Sequence, residues 1–152
     1  MDTSQVTRSL RPRWWLVAAT SAVILIAGAL AASRSFASSQ DFALSVAPAT
    51  ATVAAGSSAR YTLTATSENG LAGTINVGIT SVSPAVANGP TFRLSRYEIW
   101  VSPTAPNGGA LITASTTSGT PATTYTVTVT GKDTTGANHG LTHTTTFTLT
   151  VN

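Results

Sequence analysis

The sequence predicts an all-β sandwich, and three observations carry the prediction. From Asp41 to Val151 the apolar residues recur with a period of two and not 3.6. Clusters of Gly, Asn, Pro and Ser interrupt these runs at intervals of about ten residues. No segment after Ala37 keeps a helical period. Strands that each have one apolar face must bury those faces against one another, and two packed sheets do so.

The strands follow in order. Phe42, Leu44 and Val46 alternate with Ala43, Ser45 and Ala47, and Tyr61, Leu63 and Ala65 alternate with Thr62, Thr64 and Thr66. Ile75, Val77 and Ile79 repeat the pattern, as do Tyr125, Val127 and Val129, and then Phe147, Leu149 and Val151. Threonine fills the intervening positions, where its β-branch suits a pleated, half-buried surface. Strands are expected near 41–47, 50–53, 59–66, 73–80, 91–101, 110–116, 122–130 and 141–151, seven to eight in all, with 91–101 open to a break. Turns are expected at Gly56-Ser57-Ser58, Glu68-Asn69-Gly70, Asn88-Gly89-Pro90, Pro106-Asn107-Gly108-Gly109, Ser118-Gly119-Thr120-Pro121 and Asn138-His139-Gly140. The in-phase apolar residues argue against disorder despite the Ser/Thr richness.

Residues 1–37 read as a targeting segment. Arg8, Arg11 and Arg13 precede an uncharged stretch from Trp14 to Ala32, expected to form a hydrophobic helix. Its 19 residues cover roughly 28 Å at ~1.5 Å each, close to the hydrocarbon thickness of a bilayer. Small residues at Ala29-Leu30-Ala31 and Ser35-Phe36-Ala37 offer cleavage sites. The leader is therefore either a cleaved signal peptide or a retained single-pass membrane anchor. The arginine bias keeps the N-terminus inside and sends residues 38–152 out of the cytoplasm. The expected location is extracytoplasmic, secreted or tethered to the cytoplasmic membrane.

The chain has 152 residues, of which 9% are charged, against roughly 25% in an average soluble protein. Its pI of about 10.0 suggests a nucleic-acid partner until the charges are placed. Beyond the leader, Arg60, Arg93, Arg96 and Lys132 balance Asp41, Glu68, Glu98 and Asp133. The folded part is neutral, which removes the electrostatic basis for nucleic-acid binding. There is no cysteine. About 115 residues after Ala37 bury roughly two-thirds of their unfolded surface without a disulfide.

Two stretches carry a family resemblance. DFALSVAPATATVAAGSSARYTLTA, residues 41–65, and TPATTYTVTVTGKDTTGANHGLTHTTTFTLTV, residues 120–151, resemble the first strands and the last two strands of a bacterial module. That module is the Ser/Thr-rich, immunoglobulin-like (fibronectin-III-like) β-sandwich of exported and cell-surface proteins. The resemblance implies an antiparallel immunoglobulin-like sandwich of the kind attached to extracellular hydrolases, proteases or surface proteins. It does not extend over 81–109, and Thr124 stands where many relatives have Gly. On this pattern Tyr125 opens the penultimate strand and should bond its hydroxyl back to nearby backbone, the tyrosine corner.

The residues offer little chemistry. Nucleophilic catalysis needs a nucleophile, a base and an orienting group, yet the histidines are His139 and His143 alone and no G-x-S-x-G elbow exists. His139 reads as a turn residue. His143 shares the parity of Phe147 and Leu149 and reads as a histidine at the rim of the core. Asp41, Glu68 and Asp133 fall at expected strand ends or turns, where a solvated charge is the ordinary reading. Surface immunoglobulin-like domains can join a buried Lys to Asn in an isopeptide bond. Lys132, however, lies in an expected Gly131-Lys132-Asp133 turn. No catalytic residues, cofactor or metal site are expected.

One constellation rises above the scaffold: Arg93, Arg96, Glu98 and Trp100, the last being the only tryptophan outside the leader. If the segment is extended, Tyr97, Ile99 and Val101 face one way and Arg96, Glu98 and Trp100 the other. Trp100 then either anchors a sugar ring or protein partner, or caps one end of the sandwich beside an Arg96–Glu98 pair. The expected function is a non-enzymatic structural, adhesion or assembly module of the bacterial envelope. The alternatives are a small carbohydrate-binding protein and an accessory subunit of an exported hydrolase. The expected partners are the membrane through an uncleaved leader, and a cell-wall or other polysaccharide or an envelope protein.

Overall fold

The computed structural model describes residues 39–135 and 139–152. The leader with its apolar stretch 14–32, and Asn138 of the last expected turn, lie outside the described residues. Among the described residues the alternating runs form nine strands and no helix. They are β1 (Asp41–Ala47), β2 (Thr50–Val53), β3 (Ser58–Glu68), β4 (Gly73–Ser83), β5 (Thr91–Leu94), β6 (Glu98–Val101), β7 (Asn107–Ser115), β8 (Thr124–Asp133) and β9 (Thr142–Val151).

Two sheets result, ordered β1-β3-β7-β5 and β2-β9-β8-β4-β6. The first has the A-B-E-D order of an immunoglobulin sandwich, and β9-β8-β4 has the G-F-C order of its partner sheet. The fold is thus immunoglobulin-like and all-β. Neighbours pair antiparallel except β2, which runs parallel to β9 with Ala51 opposite Leu149. Glu68-Asn69-Gly70 turns the chain between sheets with φ of 52° and 81° at Asn69 and Gly70, as a type I′ turn requires. The Leu71 amide donates to Glu68 at 3.1 Å to close it.

Period-two patterning becomes burial directly. Phe42, Leu63, Ile75, Ile99, Ile112, Val127, Phe147 and Leu149 are all buried between the sheets. Tyr61, Phe147 and Phe92 form an aromatic chain across the interface, with ring centroids 4.3 Å and 5.9 Å apart. Two buried phenols need acceptors, because a hydroxyl stranded in an apolar core is costly. Tyr61 on β3 donates to the Thr148 carbonyl on β9 at 2.9 Å, linking the two sheets. Burial pushes the Tyr61 phenol up to about 12. Tyr125 donates to the Pro121 carbonyl at 3.0 Å, which is the expected tyrosine corner.

The structure corrects several expectations. There are nine strands because 91–101 divides between the sheets. Asn107-Gly108-Gly109 is not a turn but the start of β7. Gly131-Lys132-Asp133 is the end of β8, and Asp133 is fully buried, not solvated. Its parity explains this: Tyr125, Val127, Val129, Gly131 and Asp133 all point inward.

Each tyrosine bond removes one buried hydroxyl's desolvation penalty. Tyr61→Phe and Tyr125→Phe should each lose about 1–2 kcal/mol in urea unfolding, since each leaves a carbonyl without its donor.

Candidate functional site

Segment 91–101 is built by a change of phase. Phe92 and Leu94 are the inward residues of β5, at even positions, whereas Ile99 and Val101 are the inward residues of β6, at odd positions. A strand cannot bury both sets on one face, so the chain leaves one sheet and joins the other. The transfer takes three residues. Ser95 makes the last bonds to the first sheet, donating its amide to Leu111 at 2.8 Å and accepting the Leu111 amide on Oγ at 2.9 Å. The Tyr97 carbonyl makes the first bond to the second sheet, accepting the Val77 amide at 2.8 Å.

This transfer separates the four sequence-derived site residues. Arg93 lies on β5 opposite Thr113, in the four-stranded sheet. Arg96 lies in the exposed crossover. Glu98 and Trp100 lie on β6, the edge of the five-stranded sheet, opposite Asn76 and Thr74. Arg93 therefore does not share a face with Trp100. Among the described residues Arg96 and Glu98 form no ion pair within 4 Å. Trp100 does not cap the core: it is 59% exposed, while its neighbours Ile99 and Val101 are buried. Tyr97 was expected to share the face of Ile99, but the bend at 95–97 turns it out to 62% exposure.

The outer side of β6 continues into a polar row. Glu98 is in register with Asn76, Asn76 with Lys132, and Lys132 with Thr142. Strands stand about 4.8 Å apart, so Glu98 and Lys132 are separated by about 10 Å with the Asn76 amide between them. Lys132 is exposed on β8. The row was not legible in the sequence, because its members come from four strands.

A second cluster lies at the sandwich rim. His143 on β9 meets Asp41 at the start of β1, with Nε2 2.6 Å from Oδ1. An ionised carboxylate only accepts, so Nε2 carries the proton. The imidazole also stands edge-on to Phe42, with centroids 4.8 Å apart and planes at 85°. Desolvation pushes the Asp41 carboxyl up, but the His143 hydrogen bond, the Phe42 amide and the imidazolium charge outweigh it. The group titrates below its ordinary 3.8. The pair ties β1 of one sheet to β9 of the other. Asp133 serves the β8–β9 connection: its Oδ1 accepts the Thr135 amide at 3.2 Å, and its backbone bonds Leu141 and Gly140. Among the described residues no three His, Cys, Asp or Glu side chains gather as a metal-binding group.

No family model and no curated protein matches the chain. Solved structures do. Domains 4 and 5 of the S-layer protein SbsC are 16% identical over 72% of this chain with a TM-score of 0.47, and the match spans 50% of that two-domain chain. The BIgI domain of beta protein from S. agalactiae, solved bound to CEACAM1, is 23% identical, with 74% of this chain and 97% of that one covered and a TM-score of 0.43. A family 123 glycoside hydrolase from Clostridium perfringens is 6% identical with a TM-score of 0.52, over 74% of this chain and 27% of its own. This last likeness is one of fold alone.

The Asp41–His143 pair has a definite pH signature. A carboxyl whose folded pKa is depressed contributes stability above its unfolded value and loses it as pH falls through the folded one. Relative to Asp41→Asn, the wild-type chain should be more stable at pH 5–6. That advantage should shrink as the pH drops below about 4, read as melting temperatures of the two proteins across pH 2–6.

Proposed function

We propose that this chain is a non-enzymatic extracytoplasmic module of the bacterial envelope, with a structural, adhesive or assembly role. The observation that carries the reading is how the chemistry-bearing residues are used. Asp41 and His143 bind one another across the rim, and Asp133 holds the turn out of β8. Glu68 ends β3 and Glu98 lies on the far edge strand β6. Hydrolysis by paired carboxylates needs two of them facing one scissile bond. Asp41 and Glu68 stand opposite each other across β1 and β3, but Asp41 is held by His143, while Glu98 faces outward and Asp133 inward in the other sheet. The outward positions of β8 and β9 are mostly threonine, which suits a durable, uncharged exterior.

Export is supported by the order of basic residues, apolar stretch and small residues in 1–37. If the leader is retained, Trp14–Ala32 tethers the sandwich to the membrane; if it is cut, the sandwich is released. Protease added to spheroplasts with a sealed cytoplasm should reach an epitope in residues 38–152. A native N-terminus following Ala31 or Ala37 identifies the released form, and one at Met1 or Asp2 the anchored form. An epitope protected until the membrane is lysed would contradict export.

A further inference from the structure

Gly78 occupies an outward position in the middle of β4, between Asn76 and Thr80. A strand interior disfavours glycine, which loses more freedom on folding and contributes no side chain to cross-strand packing. Two structural reasons for it, a left-handed backbone and a close packing approach, do not apply here. Its φ is not in the left-handed region, and a Cβ built on it would meet no heavy atom within 4 Å. The glycine leaves a length of backbone uncovered on the outer face. Just beyond it the β4–β8 register shifts between Ile79 and Ser81, a bulge that bends the strand. There Thr80 Oγ1 turns to the Thr130 hydroxyl at 3.0 Å.

The surroundings of this bare floor are rich in hydrogen-bonding groups. Thr130 lies opposite Gly78, Lys132 opposite Asn76, and Glu98 opposite Asn76 on the other side. Trp100 stands at the corner opposite Thr74 with its ring open to solvent. Thr74 and Gly78 are four residues apart, about 13 Å along the strand, so the platform is longer than one small molecule. Glu98 and Lys132 carry opposite charges on either side of Asn76, so neither sign of charge dominates the row. An exposed indole stacks on the C–H face of a sugar ring, and amide, hydroxyl, carboxylate and ammonium groups reach its hydroxyls.

We propose that this corner of the five-stranded sheet binds an uncharged polysaccharide chain, stacked on Trp100 and lying over Gly78 between Asn76, Glu98 and Lys132. Arg93, on the other sheet, takes no part. The site needs the exported location to meet such a ligand. Retention by purified protein nevertheless reads the site irrespective of compartment, so the two ideas fail separately.

The test uses the full chain, recovered as the cell processes it, with cellulose, chitin, curdlan and starch as insoluble probes and alginate as a charged one. Wild type and Arg93→Ala should be retained on at least one neutral polysaccharide. Trp100→Ala and Gly78→Val should each bind at least tenfold more weakly, with the Gly78→Val melting temperature equal to or above wild type. Four outcomes would overturn the proposal: retention on none of the neutral probes, retention on alginate alone, retention indifferent to both substitutions, or a lowered melting temperature in Gly78→Val. The last would mean that the fold itself requires the glycine. A wild-type dimer that Trp100→Ala converts to monomer, without polysaccharide retention, would assign the face to a second copy and overturn it too.

Discussion

Water must be kept out of the space between the two sheets, and most other features follow from that requirement. The sheets carry their apolar residues on one face only, so neither survives without the other. At about 25 cal/mol per Å² of apolar surface removed from water, this interface is the main favourable contribution to folding. It also dictates where polar atoms can go. Tyr61 and Tyr125 bring large rings into the interface, and each delivers its hydroxyl to a backbone carbonyl at the boundary. Gly131 shows how tight the fit is: a Cβ there would stand 2.8 Å from Leu44 Cδ1, so β1 packs directly on the β8 backbone.

The open sides of the sandwich are closed by the same device on both flanks. At one, β1 leaves the first sheet after Ala47, and β2 joins the second through the Ala49 carbonyl, which accepts the Thr148 amide at 2.9 Å. Pro48, between them, has no amide to continue a ladder. At the other, Ser95 and Tyr97 bracket the transfer from β5 to β6. An edge strand that changes sheets is short, and short edges resist pairing with other chains. The His143–Asp41 pair adds a polar clasp at the β1 flank, where the apolar interface thins out. Trp100 and Gly78 stand apart from all this, on the outer side of the sheet, and the core does not account for either.

Much of this was legible because the side-chain period in a strand is two. Tyr61, Leu63 and Ala65, or Phe147, Leu149 and Val151, announce both the element and its buried face. The same arithmetic contained signals that a strand-by-strand reading passed over. Phe92 and Leu94 are even while Ile99 and Val101 are odd, which marks the sheet change inside 91–101. Asp133 continues the inward parity of Val127 and Val129, which marks its burial. Other features had no local signal. The Asp41–His143 pair joins residues 102 positions apart, and the row Glu98, Asn76, Lys132, Thr142 exists only once four strands are in register. Trp100 was ambiguous because parity gives its side of the strand but not whether another layer covers that side.

One dry interface, with no cysteine in the chain to staple it, holds both sheets as a single cooperative unit. Thermal unfolding followed together by far-ultraviolet circular dichroism, for the strands, and near-ultraviolet tyrosine signals, for the interface, tests it most directly. Coincident transitions with one midpoint, unchanged by a chelator, are predicted. Two separated transitions, or a midpoint lowered by the chelator, would contradict it.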